Sequence, residues 1–139
     1  MKFYSYYLYG KNKKVNSYYV EKFDKTRILD IIKKNKDITI ISLDFKTLLE
    51  VRRIDNSIKL GWLLLDYNKF IIKKAKIIRI NELLFPSIFL TSERVNSIKK
   101  SGFKVGAWSI NNIDELKRLD RMGVTNIIYK RRIINDYIY

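Results

Sequence analysis

The chain has 139 residues and a formal net charge of +15, and it contains neither histidine nor cysteine. The length favours one domain, and an apolar fraction of 47% excludes a disordered chain. Without cysteine there are no disulfides or thiolate sites, and without histidine the commonest general acid and base is missing. No apolar run approaches the roughly 20 residues of a membrane span and no signal peptide is visible, so we expect a cytoplasmic protein.

The positive charge has two interpretations. Lys and Arg number 29 against 14 Asp and Glu, and such a surface attracts polyanions, including nucleic acid, anionic lipid and phosphorylated ligands. Alternatively, a composition rich in Lys, Ile, Asn and Tyr reflects the whole proteome of the source. The basic residues are spread along the chain and do not form a tail, so both interpretations stay open.

The first 22 residues differ in kind from the rest. Two tyrosine-rich segments, residues 3–9 and 15–23, flank the turn-like residues 10–14. This pattern predicts an antiparallel hairpin, or one barrel strand followed by a strand-like excursion.

From residue 23 onward, short β-branched runs alternate with amphipathic stretches. Strands are predicted at residues 37–42, 58–65, 77–80, 104–109 and 124–129. Helices are predicted at residues 25–34, 44 to about 55, 67–74, 91–100 and 112–122. Pro86 is predicted to lie in a loop, and residues 131–139 to form one or two helical turns. Such alternation indicates βαβ units, hence a parallel sheet with its helices on the outside.

Helix ends carry typical capping residues. Asp24, Asp44, Thr91 and Asn112 are predicted N-caps, and Glu115 completes a capping box with Asn112. Asn35, Gly102 and Gly123 are predicted to end helices.

Four short motifs then follow in a distinctive order. Residues 40–44 read Ile-Ile-Ser-Leu-Asp, with Leu48 on the following helix, and residues 60–61 are a leucine-glycine pair. Residues 101–111 read Ser-Gly-Phe-Lys-Val-Gly-Ala-Trp-Ser-Ile-Asn, and residues 123–131 read Gly-Val-Thr-Asn-Ile-Ile-Tyr-Lys-Arg. In order and spacing, these motifs resemble the carboxyl-terminal half of glycerophosphodiester phosphodiesterases. The last motif departs most, because Thr125, Asn126, Tyr129 and Lys130 replace the family's Asp, Gly, Thr and Asp.

The resemblance implies an α/β fold: a partial (half) TIM-like (β/α) barrel with parallel strands, preceded by a Tyr-rich strand or β-hairpin. We expect one domain over residues 1–139, with the hairpin at 1–22, the half barrel at 23–131 and a tail at 132–139. Such a half barrel has two open sheet edges. These edges could pair with a second copy or a complementing chain, and the hairpin could cover one of them.

The family's catalytic groups, as the resemblance implies them, are a His-Arg-Gly, a Glu-x-Asp, a second histidine and a glutamate on the fourth strand. The carboxylates hold Ca²⁺ or Mg²⁺. Residues 1–10 could occupy the fourth-strand position, where the expected glutamate-lysine ending reads Tyr-Leu-Tyr-Gly-Lys11. We therefore expect no catalytic residue, no metal or other cofactor, and no enzymatic activity of this chain by itself.

What the resemblance leaves is a remnant of the ligand pocket, formed by Ser42, Trp108 and Asn111 at the carboxyl ends of strands. Each also has a structural interpretation: Trp108 as a core aromatic and Ser42 as a turn or capping serine. Asp44 is better explained as an N-cap than as a metal ligand.

Three functions follow. The first is a catalytically degenerate binding or assembly module, a pseudoenzyme from a family of lipid metabolism. The second is the carboxyl-terminal piece of a split phosphodiesterase completed by another chain. The third is a nucleic-acid-binding protein, because basic residues and aromatic platforms bind single strands. Its candidate contacts are Lys11, Lys13, Lys14, Tyr18, Tyr19, Lys130, Arg131 and Arg132.

Overall fold

The computed structural model describes residues 2–7, 14–35, 37–110, 112–124 and 126–129. The strands are β1 (Lys2–Tyr7), β2 (Lys14–Tyr19), β3 (Thr39–Ser42), β4 (Lys59–Leu63), β5 (Glu82–Pro86), β6 (Lys104–Ile110) and β7 (Asn126–Tyr129). The α-helices are α1 (Lys25–Lys34), α2 (Phe45–Ile54), α3 (Lys69–Ile77), α4 (Ser92–Lys100) and α5 (Ile113–Arg121). A 3₁₀ turn, Ser87–Phe89, follows β5. The predicted helical tail lies outside the described residues.

The strands form one closed barrel in chain order. Strands β2 to β7 are parallel, each paired with its sequence neighbour, which confirms the predicted parallel half barrel. Strand β1 forms the predicted hairpin with β2 and also pairs antiparallel with β7. The expectation of open sheet edges is therefore wrong for the described strands. Six curled parallel strands bring their two outer edges close enough for one strand to pair with both.

The predicted N-caps and the two glycine helix ends are confirmed. Four N-cap side chains accept a hydrogen bond, at 2.8 to 3.2 Å, from the N–H three residues on: Asp24, Asp44, Thr91 and Asn112. Gly102 and Gly123 have φ values of +98° and +84°, which a side chain would strain. These caps set where each helix starts and stops between two strands.

The predicted strand at residues 77–80 is wrong. Ile77 is instead the last residue of α3, with 76% of its surface exposed. The strand is Glu82–Pro86, with Pro86 as its last residue. Because Pro86 is the last residue of the strand, its lack of an N–H does not interrupt the hydrogen bonds in the middle of the ladder.

Alternate strand residues face the helices or the barrel interior. Leu83, Val105 and Ile127 belong to the core beneath the helices. Inside the barrel, a smaller cluster is formed by Ile41, Leu63, Leu84 and Ile128, with Tyr19 and Trp108 packed against it.

Leu84 fills the middle of this interior. A Cβ on Gly106 would lie 2.6 Å from Leu84 Cδ2, and a Cβ on Gly61 would lie 2.9 Å from Leu84 Cδ1. Leu84 itself is fully buried. The two glycines therefore supply the space that the leucine occupies.

We expect Gly106→Ala to destabilise the fold by about 1–3 kcal/mol, because the added methyl overlaps Leu84 in a packed interior. Urea unfolding measures the change. In a Leu84→Ala background, which removes the overlapping atoms, the same substitution should cost less than half as much. Equal costs in both backgrounds would contradict this account of the barrel interior.

Candidate functional site

Ser42 lies at the carboxyl end of β3 and is fully buried. Its hydroxyl donates to Val20 O at 2.6 Å and accepts from Asp44 N at 3.1 Å. Ser42 therefore ties the exit of β2 to the start of α2. This geometry accounts for Ser42 as a turn residue, and its role as a pocket remnant stays a prediction.

Trp108 lies at the same end, where it packs half-buried on the interior cluster. Its Nε1 donates to Leu84 O at 3.1 Å, and the same carbonyl accepts from Leu64 N at 2.8 Å. The indole covers the top of the barrel interior. Its predicted companion, Asn111, lies outside the described residues.

The basic residues proposed as anion contacts fall almost wholly outside the described part of the chain. Lys14 is the first residue of β2. The others, for which the structure gives no description, are Lys11, Lys13, Lys130, Arg131 and Arg132.

The assignment of residues 1–10 to the fourth-strand position is wrong. β1 runs antiparallel, and β2 is the strand paired in parallel with the Ser42 strand. The residues that follow β2 are Val20-Glu21-Lys22, which include a glutamate-lysine pair at the carboxyl end. Both side chains are exposed, and with Asp24 they line a cavity of about 420 Å³.

The described residues of the carboxyl end do not fit the divalent cation that the family implies. Asp44 Oδ2 accepts from Thr47 N at 3.2 Å and from Thr47 Oγ1 at 2.7 Å, and these bonds lower the pKa of Asp44. Among the residues described, no three His, Cys, Asp or Glu side chains lie close enough to hold a metal. The expected absence of a cofactor stays a prediction.

At the opposite end of the barrel, sequence reasoning missed a buried polar group. Glu82, at the start of β5, is only 2% exposed, and Asn126 Nδ2 donates to its Oε1 at 2.6 Å. Among the residues that the structure describes, three buried oxygens have no hydrogen-bond partner: Glu82 Oε2, Asn126 Oδ1 and Thr39 Oγ1. Burial raises the pKa of Glu82 to about 7, against the opposing effects of Asn126 and the Lys104 charge. Glu82 lies two residues before the interior Leu84 and so faces the same side of the strand, but the sequence analysis had not predicted a strand there.

Above Glu82 lies a cavity of about 350 Å³ at the amino-terminal mouth of the barrel. Thr39 and Glu82 form part of its wall, and three cationic residues, Lys59, Arg79 and Lys104, line it as well. We call this cavity the amino mouth.

Arg52 fixes the loops beside the amino mouth. Its buried guanidinium donates to backbone carbonyls at 2.8 to 3.3 Å, those of Asp55, Asn56, Ile58, Ile78 and Arg79. Burial lowers the pKa of Arg52. Arg79 is held at φ +54°, a conformation that bulky residues rarely adopt. One side chain thus orders two loops at this end of the barrel.

The fold also collects the positive charge at this end. The last turn of every α-helix carries two basic residues: Lys33, Lys34, Arg52, Arg53, Lys74, Lys76, Lys99, Lys100, Arg118 and Arg121. Helices run antiparallel to the parallel strands, so most of these residues lie with Lys59, Arg79 and Lys104 toward the amino end. Two side chains reach the other way: Arg118 donates to Ser87 O and Leu90 O, and Lys74 Nζ lies 5.7 Å from the ring of Phe45 at the start of α2. Complementing helix dipoles explains part of this pattern. The result is a basic amino end that the linear distribution did not reveal.

Solved structures share this fold. A protein of Galdieria sulphuraria, assigned as a glycerophosphodiester phosphodiesterase, matches with a TM-score of 0.73 at 13% identity over 88% of this chain and 56% of its own. A glycerophosphodiester phosphodiesterase from Parabacteroides distasonis gives 0.65 and 16% over 88% and 58%. A phosphodiesterase from Oleispira antarctica, in complex with the product sn-glycerol-3-phosphate, gives 0.65 and 18% over 73% and 42%.

The chain therefore has part of the (β/α) barrel found in these proteins, and it spans about half of their length. The sequence model of the glycerophosphoryl diester phosphodiesterase family matches residues 2–132, so the chain belongs to this family. No curated protein is similar enough in sequence to count as a match. Within the described residues, no helix is long and apolar enough to cross a membrane.

The buried Glu82 should make stability depend on pH. Its pKa is raised from an ordinary value of 4.5 to about 7, so the folded state holds a proton that the unfolded state has lost. The stability due to protonated Glu82 is fully present below about pH 4.5 and is lost as the pH rises to about 7. Relative to Glu82→Gln, the native protein should lose about 2–3 kcal/mol between pH 5 and 8. Urea unfolding of both proteins measures this difference, and parallel pH profiles would contradict the assignment.

Proposed function

We propose that this chain does not hydrolyse phosphodiesters by itself and acts as a binding module of its family. The observation that carries the proposal is that polar groups at the carboxyl end make hydrogen bonds within the fold. Ser42 and Trp108 bond backbone carbonyls, and Asp44 caps α2. The 139 residues also contain no histidine, so a group of the family's usual acid-base type is missing. These features support a scaffold that holds its shape without the family's chemistry.

The direct test is hydrolysis of glycerophosphocholine in the presence of Ca²⁺ or Mg²⁺, followed through released glycerol 3-phosphate. We expect no release above the buffer rate, because the 139 residues contain no histidine to protonate the leaving oxygen. Circular dichroism confirms that the sample is folded. Turnover that disappears in Glu21→Gln but persists in the exposed control Glu93→Gln would overturn the proposal.

Completion by a second chain, as in a split enzyme, would need a surface other than a sheet edge. β1 pairs with β2 on one side and β7 on the other, so the described strands form a closed ring. The same ring argues against dimers formed by strand addition. Binding through the ends of the barrel is the assembly mode that this topology supports.

A second candidate function is nucleic-acid binding, and the basic amino end favours it. The exposed cations in the last turns of the helices, such as Lys33, Lys76 and Lys100, suit a phosphate backbone. Of the basic residues proposed from sequence, Lys14 begins β2 and therefore belongs to this same end.

Fluorescence anisotropy with a labelled 20-base-pair duplex tests this candidate. We expect the affinity to fall at least about tenfold between 50 and 200 mM salt, because bound phosphates release counterions. Reversing Lys99 and Lys100 to Glu should weaken binding more than reversing Lys25 and Lys46, which lie at the carboxyl end. An absence of binding at low salt, or equal losses in both variants, would rule it out.

A further inference from the structure

The amino mouth contains two kinds of group that a ligand could satisfy. Glu82 Oε2 and Thr39 Oγ1 are buried, lack hydrogen-bond partners and belong to residues of its wall. Lys59, Arg79 and Lys104 supply positive charge around them. We propose that the amino mouth binds a small phosphorylated polyol, whose hydroxyls bond Glu82 and Thr39 while its phosphate lies among the three cations. The site lies opposite the carboxyl end and does not depend on whether the chain hydrolyses phosphodiesters.

The hydroxyl part of this ligand follows from the unpaired oxygens. The Glu82 carboxyl group accepts when ionised and can donate when protonated, and a threonine hydroxyl can do either. Leaving such atoms buried without partners is costly, so a ligand that supplies donors gains affinity. A polyol hydroxyl both donates and accepts, which suits Glu82 Oε2 and Thr39 Oγ1 together.

The phosphate part follows from the position of the cations. Lys59 is the register partner of Thr39, and Lys104 is the register partner of Glu82. Thr39 and Glu82 therefore each have a cationic residue beside them on the next strand. Lys59 Nζ lies 3.2 Å from Asp37 Oδ1, but both side chains are at least half exposed, so this pair is weak. Three cations around one opening also disfavour a metal ion there.

The amino mouth is held in shape before any ligand arrives. Asn81 Oδ1 accepts from Leu60 N at 2.9 Å, while its backbone carbonyl accepts from Lys104 N at 3.0 Å. Arg52 fixes the carbonyl of Arg79 at 2.9 Å. A preorganised site loses less entropy on binding. The volume of about 350 Å³ lies within the range of roughly 300–1,000 Å³ that is usual for small-molecule sites.

Isothermal titration calorimetry with ribose 5-phosphate, inorganic phosphate and ribose tests the proposal. We expect ribose 5-phosphate to bind at least roughly tenfold more tightly than either part, because hydroxyls and phosphate contact different walls. Equal affinity for inorganic phosphate and ribose 5-phosphate would reduce the site to a general anion contact and overturn the proposal.

Thr39→Val separates binding from folding. The Thr39 hydroxyl has no partner in the ligand-free protein, so its replacement should leave the urea midpoint unchanged or higher. The same substitution should weaken ribose 5-phosphate by about fivefold or more, since it removes one ligand contact. Unchanged affinity in a folded Thr39→Val protein would count against the assigned hydroxyl position.

Lys104→Ala and Lys100→Ala form a matched pair at the amino end, since only Lys104 lines the amino mouth. The first should reduce affinity for ribose 5-phosphate about tenfold and the second less than twofold. Equal losses would indicate diffuse attraction and overturn the site. The glycerophosphocholine assay contains no ribose 5-phosphate, so a failure of the proposed function and a failure of this proposal can be told apart.

Discussion

Leu84 and the two glycines beside it set the width of the barrel. A ring of seven strands leaves a narrow interior, and one leucine occupies its middle because Gly61 and Gly106 have no side chains. Since inner and outer positions alternate, the inward direction of Leu84 also turns Glu82 inward. The packed centre thus excludes a large pocket through the barrel and determines which polar groups lie beneath it.

The packed centre separates the two ends of the barrel, and their polar groups differ in how they are bonded. At the carboxyl end, Ser42, Asp44 and Trp108 bond the backbone of the loops around them. At the amino end, Glu82 and Thr39 keep unpaired oxygens, and the helix ends collect cations.

Much of the fold was predictable because its signals are local. Caps such as Asp24 and Asn112, and turns such as Gly102, act within a few residues. The strand at Glu82–Pro86 was missed because its first residue is acidic and its last is proline, and both are unfavourable to strands in isolation. The second partner of β1 was missed because it is set by a strand more than 100 residues away. The polar cluster at Asn126 and Glu82 joins residues 44 positions apart, which no local pattern reveals.

The pairing of β1 with β7 has a consequence for how the chain reaches its structure. The first strand meets its second partner only when nearly the whole chain is present, so the barrel is dominated by one contact of very high sequence separation. Folding slows as such contacts become more important, because a long loop must close before the contact is gained. On the ribosome, β2 to β6 emerge while one sheet edge is still unpaired and open to association with other chains. A barrel that is closed in the native state is therefore most exposed to mispairing while its sheet is still incomplete.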